Sequence, residues 1–169
     1  MYLLKLLYFT DRYHLRHFGF VATGDKYFAM KNGPVGTATK DIMQGKMPSF
    51  ANSAELSLIN DVKQMSEYDI AINEQKDDEL SESFKQSLDF AVRTYGKYTQ
   101  FQLSDITHDY PEWKRHEREI SYGGQSEMLF IDFFDNPKSL SKSKSCGIKE
   151  DPFKDDSKFL QVLKEDFSE

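Results

Sequence analysis

The most site-like group of residues in this chain surrounds His108. Acidic side chains lie close to it in the sequence at Asp105, Asp109 and Glu112. A histidine beside carboxylates can act as a general base or a metal ligand, because its unperturbed pKa lies near neutral pH. No nucleophile or second set of ligands accompanies the group in the sequence. We therefore expect His108 to brace neighbouring helices, and a small hydrolase or nuclease that uses His108 and these acids is the alternative.

Two further patterns have the residue types of a metal site or of a phosphate-binding loop. His14 and His17 lie three residues apart, but zinc needs three or four ligands and nothing nearby in the sequence completes a set. A favourable interaction with the end of a helix explains both histidines more simply. The pair Gly33-Pro34 lacks the spacing and the following Lys-Ser/Thr of a phosphate-binding loop, so it is interpreted as a turn. We expect no catalytic residue, metal or cofactor.

The element that must position these residues is a helix over Met1–Phe18. Its first half is apolar or aromatic except at Lys5, and a helix that is apolar on all sides belongs in the middle of a domain. From Thr10 the apolar residues thin to one side, so the helix is expected to emerge toward solvent and to stop at Gly19. A membrane span needs about 20 apolar residues, and this run is shorter. It also lacks the basic leader and the small-residue cleavage site of a secretory signal.

The rest of the chain predicts an α+β fold, mostly helical, with one small β-hairpin. Its strands are expected at Phe20–Ala22 and Tyr27–Met30, joined by the turn Thr23-Gly24-Asp25. The helix opened by Ser81 is expected to bury Phe84, Leu88, Ala91, Val92 and Tyr95. Other helices are expected to begin at Pro34, at Ser53, at Thr99 through a capping box, at Pro111 and within Glu127–Phe134, with a short strand over Tyr68–Asn73.

The end of the chain predicts a separate short region. We expect a domain over residues 1–136, followed over 137–169 by the polar linker Ser139–Gly147 and a short amphipathic helix. The apolar face of that helix, with Phe159, Leu163 and Phe167, either docks on the domain or waits for a partner. Trp113 has the same two interpretations, with burial in the core favoured over an interface anchor.

Composition narrows the classes of function. The chain has 169 residues and a net charge of −6, which argues against the broad basic surface of a nucleic-acid-binding protein. A DNA-binding regulator is therefore the third hypothesis, and no basic recognition helix supports it. The acidity suits a basic protein partner. Cys146 is the single cysteine, so no intrachain disulfide can form, and a reducing compartment such as the cytoplasm fits.

Four segments in this order resemble the Panacea domain, the SocA-like antitoxin family, over about residues 1–135. They are the KLLYF run with Asp11, the GPV turn, the helix from Leu80 to Gly96, and LSDITH with the following Glu112-Trp113. No one motif is specific, but four in the right order are considerably stronger. The positions that carry the resemblance are Lys5, Leu7, Tyr8, Asp11, Gly33, Pro34, Val35, His108 and Trp113.

The resemblance implies a bacterial or phage protein that neutralises a toxin encoded beside it. Such a protein acts by binding its cognate toxin, blocking the toxin's active site or directing its removal, and not by chemistry of its own. Family members usually carry a further helical segment before the lysine–leucine run, whereas this chain begins almost at it. The residues after Pro137 lie outside the resemblance.

Overall fold

A computed structural model describes residues 2–46, 48, 62–64, 70–72, 80–154 and 157–166. The helices are α1 Tyr2–Phe18, α2 Thr37–Met43, α3 Glu82–Tyr95, α4 Gln100–Thr107, α5 Pro111–Lys114, α6 Glu117–Ser121, the 3₁₀ helix Phe130–Phe134, α7 Ser141–Ser145 and α8 Ser157–Asp166. The strands are β1 Tyr27–Met30, β2 Gly33–Gly36, β3 Val62–Gln64, β4 Ile70–Ile72 and β5 Ser126–Glu127. This mostly helical architecture with small antiparallel sheets confirms the predicted α+β class.

Helix α1 lies at the centre of the domain, as its sequence predicts. It packs against α3, α4, β2 and the 3₁₀ helix. Tyr8 and Phe9 are fully buried, and the Phe9 ring stacks on that of Tyr95 with 3.8 Å between ring centroids. The helix ends at Gly19, which has a φ of +83° and donates its N–H to the Leu15 carbonyl. A left-handed glycine thus closes α1, as expected.

The second half of α1 departs from the prediction that it emerges toward solvent. Asp11, Arg12, His14 and Arg16 are all buried. Segments both before and after α6 cover this half of the helix and supply its polar partners; Asp11, for instance, accepts from the Thr23 N–H. Arg16, for example, donates to the backbone carbonyls of residues 133 and 153, both at 2.9 Å. Polar residues mark the solvent face of a helix only when no other segment brings hydrogen-bond partners to them.

The β-hairpin exists, but one of its strands differs from the prediction. Strand β1 is where it was expected, and it pairs with β2 in a register that joins Ala29 to Pro34. Phe20–Ala22 forms no strand, and Gly33-Pro34 is neither a turn nor the start of a helix. In the sheet order β2-β1-β5, Pro34 lies on an edge strand, where its missing N–H is tolerated. Helix α2 begins only after Gly36.

The helices α3, α4 and α5 follow their predicted signals closely. Ser81 caps α3, Thr99 forms a reciprocal capping box with Gln102, and Pro111 occupies the first turn of α5. Of the predicted core positions in α3, Ala91 and Tyr95 are buried and Phe84 and Leu88 are half-buried. Val92 is wrong, because it is 48% exposed, while the small polar Ser87 is buried on the inner face. Ser87 is accommodated there since its hydroxyl donates to the Ser83 carbonyl at 2.8 Å.

Several later elements differ from their predictions. Glu127–Phe134 was expected to be one helix, but it contributes to β5, which pairs with β1, and then forms the 3₁₀ helix. The predicted linker Ser139–Gly147 contains α7. The helix expected from Ser53 lies mostly outside the described residues, and its end is strand β3. The strand expected over Tyr68–Asn73 is confirmed by β4 in its described part.

The C-terminal helix α8 packs against the 3₁₀ helix. Leu160 is buried, Leu163 is partly buried against the core, and Lys164 donates to an Asp135 carboxylate oxygen at 2.6 Å. The Phe159 side chain and Phe167 lie outside the described part of the chain. No described helix has the length and apolar character required to cross a membrane.

Candidate functional site

The expected motif residues converge on a buried polar network around α1. Arg12 forms an ion pair with Glu112, and Tyr8 donates its hydroxyl to the same carboxylate oxygen. Both charged side chains have no solvent exposure. Burial raises the pKa of Glu112, and the neighbouring Arg12 guanidinium and Tyr8 hydroxyl oppose that rise. The network therefore fastens α5 to the middle of α1.

The Arg12 guanidinium has further contacts that hold it in place. It lies 4.4 Å from the centroid of the Tyr110 ring and 5.1 Å from that of Phe153, and its second terminal nitrogen donates to the Asp135 carbonyl at 2.8 Å. Aromatic faces attract a cation most strongly when water is excluded. One arginine thus joins α1 to three later parts of the chain.

Asp11 anchors the segment that leads into the sheet. Its carboxylate accepts hydrogen bonds from the Thr23 N–H at 3.0 Å, the Thr23 hydroxyl and the Tyr27 hydroxyl at 2.7 Å. Burial raises its pKa, while these donors oppose the rise. Asp25, which the sequence analysis did not single out, plays a similar part at α2, since it accepts from the N–H groups of Ala38 and Thr39.

Lys5 anchors the GPV strand. Its ammonium group is fully buried and donates to the Pro34 carbonyl at 2.6 Å. Gly33 has a φ of +91°, and a Cβ there would lie 2.9 Å from the Lys5 Nζ atom and would also strike the Thr107 hydroxyl. Only glycine therefore fits between α1 and α4 at this point. Burial lowers the pKa of Lys5 from 10.5 to about 7.

Two of the three acids near His108 are held by other partners, while the charge of Asp105 acts on the histidine and opposes the lowering of its pKa. Glu112 belongs to the Arg12 pair, and Asp109 accepts from the N–H groups of Lys142 and Ser143 at the start of α7. The His108 ring stacks on Trp113, with 3.8 Å between centroids. Burial, and then the positive charge of Lys5, lower the pKa of His108 to about 4, so the ring is neutral at pH 7.

The remaining candidate residues differ in their burial and in their hydrogen-bond partners. Trp113 is buried and donates its indole N–H to the Met30 carbonyl at 2.9 Å. Val35 is buried in β2, whereas Leu7 is partly exposed. His14 donates to the Phe20 carbonyl and His17 to the Tyr13 carbonyl, each at 2.9 Å. Among the described residues, no three His, Cys, Asp or Glu side chains are grouped so that they could hold a metal ion.

A comparison with known protein families assigns the chain that contains this network to one of them. The family profile described as "Antitoxin SocA-like, Panacea domain" matches residues 3–114, which is well over half of the chain. The chain belongs to this family. The matched part contains α1, the hairpin strands β1 and β2, and helices α2 to α5, so it holds both members of the Arg12–Glu112 pair. No curated protein and no solved structure matches the chain.

The Panacea domain of this chain also contains contacts that sequence reasoning missed. Arg12 and Arg16 were assigned to the solvent side of α1, and Asp25 was read only as part of a turn. A signal existed for the two arginines, because Tyr8, Arg12 and Arg16 are spaced by four and share one face of the helix. Nothing local in the sequence indicates their partners, which lie about a hundred residues later in the chain.

Proposed function

We propose that this Panacea domain is the antitoxin of a bacterial or phage toxin–antitoxin system and neutralises a cognate toxin in the cytoplasm by direct protein–protein binding. The observation that carries the proposal is the match of the SocA-like antitoxin family over residues 3–114. In this proposal the protein has no catalytic activity of its own, and blocking the toxin's active site is sufficient for neutralisation.

The geometry of the motif residues supports a structural role for them. Lys5, Asp11, Arg12 and Glu112 each contact partners inside the domain, and all four are fully buried. A reacting group must reach a substrate, whereas these groups are engaged with one another and with the backbone. In this proposal the shared motif builds a rigid core, and the toxin is recognised by residues on the surface.

Helix α8 is one candidate for that surface. Its side chains Phe159, Leu163 and Phe167 were expected to form an apolar face, and Val162 is 55% exposed. Leu163 packs close to Gly19, so part of the face is covered by the domain itself. We propose that the outer side of α8 adds contacts to the toxin, while Trp113 contributes by holding the hairpin in place.

A growth-rescue experiment tests the proposal. The gene adjacent to this one is induced alone in bacteria and then together with this protein. Arrest of growth in the first case and normal growth in the second are expected. Glu112→Ala, which is expected to destabilise the buried core strongly, serves as the control and should rescue growth less well than the wild type. A harmless neighbour, or one that stays toxic in the presence of the folded protein, would refute the proposed function.

A further inference from the structure

An apolar groove lies on the surface where the end of α1, the segment that follows it and the start of α3 meet. Its volume is about 390 Å³. Apolar side chains make up most of its lining, namely Phe20, Ala22, Leu80 and Phe84. No Asp, Glu, Lys or Arg in the described part of the chain lines it. We call it the Phe20 groove, and it is separate from the buried Arg12–Glu112 pair.

The polar side chains that line the Phe20 groove use their hydrogen-bonding atoms inside the protein. His14 engages both ring nitrogens, one with the Phe20 carbonyl at 2.9 Å and the other with the Ser83 hydroxyl at 3.1 Å. Thr23 donates its hydroxyl to a buried carboxylate of α1, and the Ser81 hydroxyl accepts from an N–H in the first turn of α3 at 3.2 Å. What the groove offers to a ligand is therefore mainly apolar contact.

The apolar surface around the Phe20 groove is exposed and continuous. Phe20, Leu80 and Phe18 are 56%, 41% and 37% exposed. The rings of Phe18 and Phe20 both pack against the His14 ring, with centroid distances of 4.7 Å and 4.5 Å, and Leu80 lines the groove together with Phe20. A contiguous exposed apolar patch of this kind commonly marks an interaction site.

This apolar patch meets helix α8. Gly19 lies between Phe18 and Phe20, and a Cβ atom at Gly19 would lie 3.4 Å from the Leu163 side chain of α8. The outer side of α8, with the 55% exposed Val162, is the surface proposed above for contact with the toxin. The Phe20 groove is therefore adjacent to that surface and extends it onto the domain that the family profile matches.

The size and the openness of the patch distinguish among possible occupants. Its three side chains expose at most about 300 Å², whereas a stable dimer needs about 800 Å² from each partner, so the patch alone does not hold two copies of this chain together. A small-molecule site encloses about 70–90% of its ligand, whereas Phe20 in the wall of this groove is more than half exposed. A side chain presented by a larger protein fits both observations, because the rest of that protein supplies the remaining interface.

We propose that the Phe20 groove receives an apolar side chain of the cognate toxin, of the size of leucine or phenylalanine, as one anchor of the interface. The inference rests on the proposed function and names a contact surface and its chemistry. Anchors of this kind fill desolvated pockets and carry a large share of the binding free energy. Phe20 and Leu80 supply the walls that such an anchor contacts.

Polar substitutions in the groove test the proposal in the full chain. Phe20→Ser and the double variant Phe20→Ser/Leu80→Ser are expected to raise the dissociation constant for the neighbouring gene's product by about tenfold or more. Phe20→Leu keeps an apolar wall and should retain most of the affinity. Phe101→Ser is the matched control, because Phe101 is 74% exposed on α4, and this variant should bind as the wild type does. The melting temperature should change little in all four variants, since the altered side chains are exposed.

Photo-cross-linking gives a second readout that does not depend on the stability of a polar variant. The photoreactive amino acid p-benzoylphenylalanine replaces Phe20, Leu80 or, as the control, Phe101 in the full chain. Irradiation in the presence of the neighbouring gene's product is expected to form links from positions 20 and 80 and none from position 101. Mass spectrometry then identifies the linked residues, which should surround an apolar side chain of the product.

The outcomes separate this inference from the proposed function. Unchanged binding by the folded double variant, or a complex without links from position 20 or 80, would overturn the role of the groove while leaving the antitoxin role intact. Sedimentation velocity of the chain alone covers another occupant, because a dimer that Phe20→Ser dissociates, with binding of the neighbouring gene's product unchanged, would overturn the inference in favour of a second copy. Absence of any complex with the wild type would overturn both proposals together.

Discussion

Removing the Glu112 carboxylate is expected to destabilise the fold far more than removing any exposed charge. Glu112 and Arg12 are both without solvent exposure, and Tyr8 donates to the same carboxylate. Deleting one member of a buried ion pair typically costs about 3–5 kcal/mol, because the other charge is left unpaired in the interior. Domains of this kind have a total stability of about 5–15 kcal/mol. Glu112→Ala should therefore use up a large share of it.

The assay is urea unfolding followed by circular dichroism, with the free energy of unfolding extrapolated to water. Tyr8→Phe removes only a hydrogen bond to a charged group and should cost about 1.5–3 kcal/mol. Asp89→Asn removes an exposed partner of Arg93 and should change the free energy of unfolding by less than about 0.5 kcal/mol. A buried network predicts that Glu112→Ala lowers the free energy of unfolding most, Tyr8→Phe less and Asp89→Asn least.

A double variant tests whether the pair acts as a unit. Arg12→Met/Glu112→Leu removes both charges, so it should be less destabilised than the sum of its two single variants by about 1 kcal/mol or more. Additive effects of the two changes, or a loss below about 1 kcal/mol for Glu112→Ala, would contradict the conclusion that the pair is buried and coupled.

Two further predictions concern Lys5 and the C-terminal segment. Burial lowers the folded-state pKa of Lys5 to about 7, so the unfolded state binds more protons than the folded state above that pH. The free energy of unfolding should therefore rise between pH 7 and about pH 10, where tyrosines titrate, by at most about 1.4 kcal/mol per pH unit. Urea unfolding across this range measures the rise, and Lys5→Met should abolish it. Truncation after residue 136 removes the buried Phe153 and the Arg16 contact to its carbonyl, so it should lower the melting temperature sharply. Truncation after residue 154 should leave a folded domain. Thermal unfolding measures both variants, and an unchanged melting temperature of the shorter one would contradict the packing of this segment.

The sequence was most informative where local signals decide the structure. The apolar start of α1, the Ser81 cap and the Thr99 capping box lie in a few consecutive residues, and each predicted its helix correctly. The stop at Gly19 belongs to the same group, because only a left-handed residue is needed there. Such features require no knowledge of the rest of the chain.

The sequence predictions were wrong where residues far away in the chain determine the local structure. Pro34 has a good local reason to start a helix, but pairing with β1 at the edge of the sheet order places it in the buried strand β2. The polar segment Ser139–Gly147 reads as a linker, yet Asp109 supplies acceptors for the N–H groups that open α7. The buried arginines of α1 likewise depend on carbonyls of residues 133, 135 and 153. Periodicity cannot indicate partners so far away.

The His108 group illustrates the same point for the candidate site. Its residues are adjacent in the sequence, and on spacing alone they can be read as an acid–base cluster. In the fold, Glu112 faces Arg12, Asp109 faces α7, and His108 stacks on Trp113. Three neighbouring residues thus serve three different contacts, which only the tertiary structure reveals.

We propose that the chain neutralises a toxin by binding it directly. The most direct measurement is co-expression with a tagged product of the adjacent gene, followed by size-exclusion chromatography and native mass spectrometry of the captured material. We expect a complex of defined stoichiometry in which the toxin's activity is suppressed. Recovery of the neighbouring protein alone, fully active in the presence of an excess of the folded wild-type chain, would contradict the account.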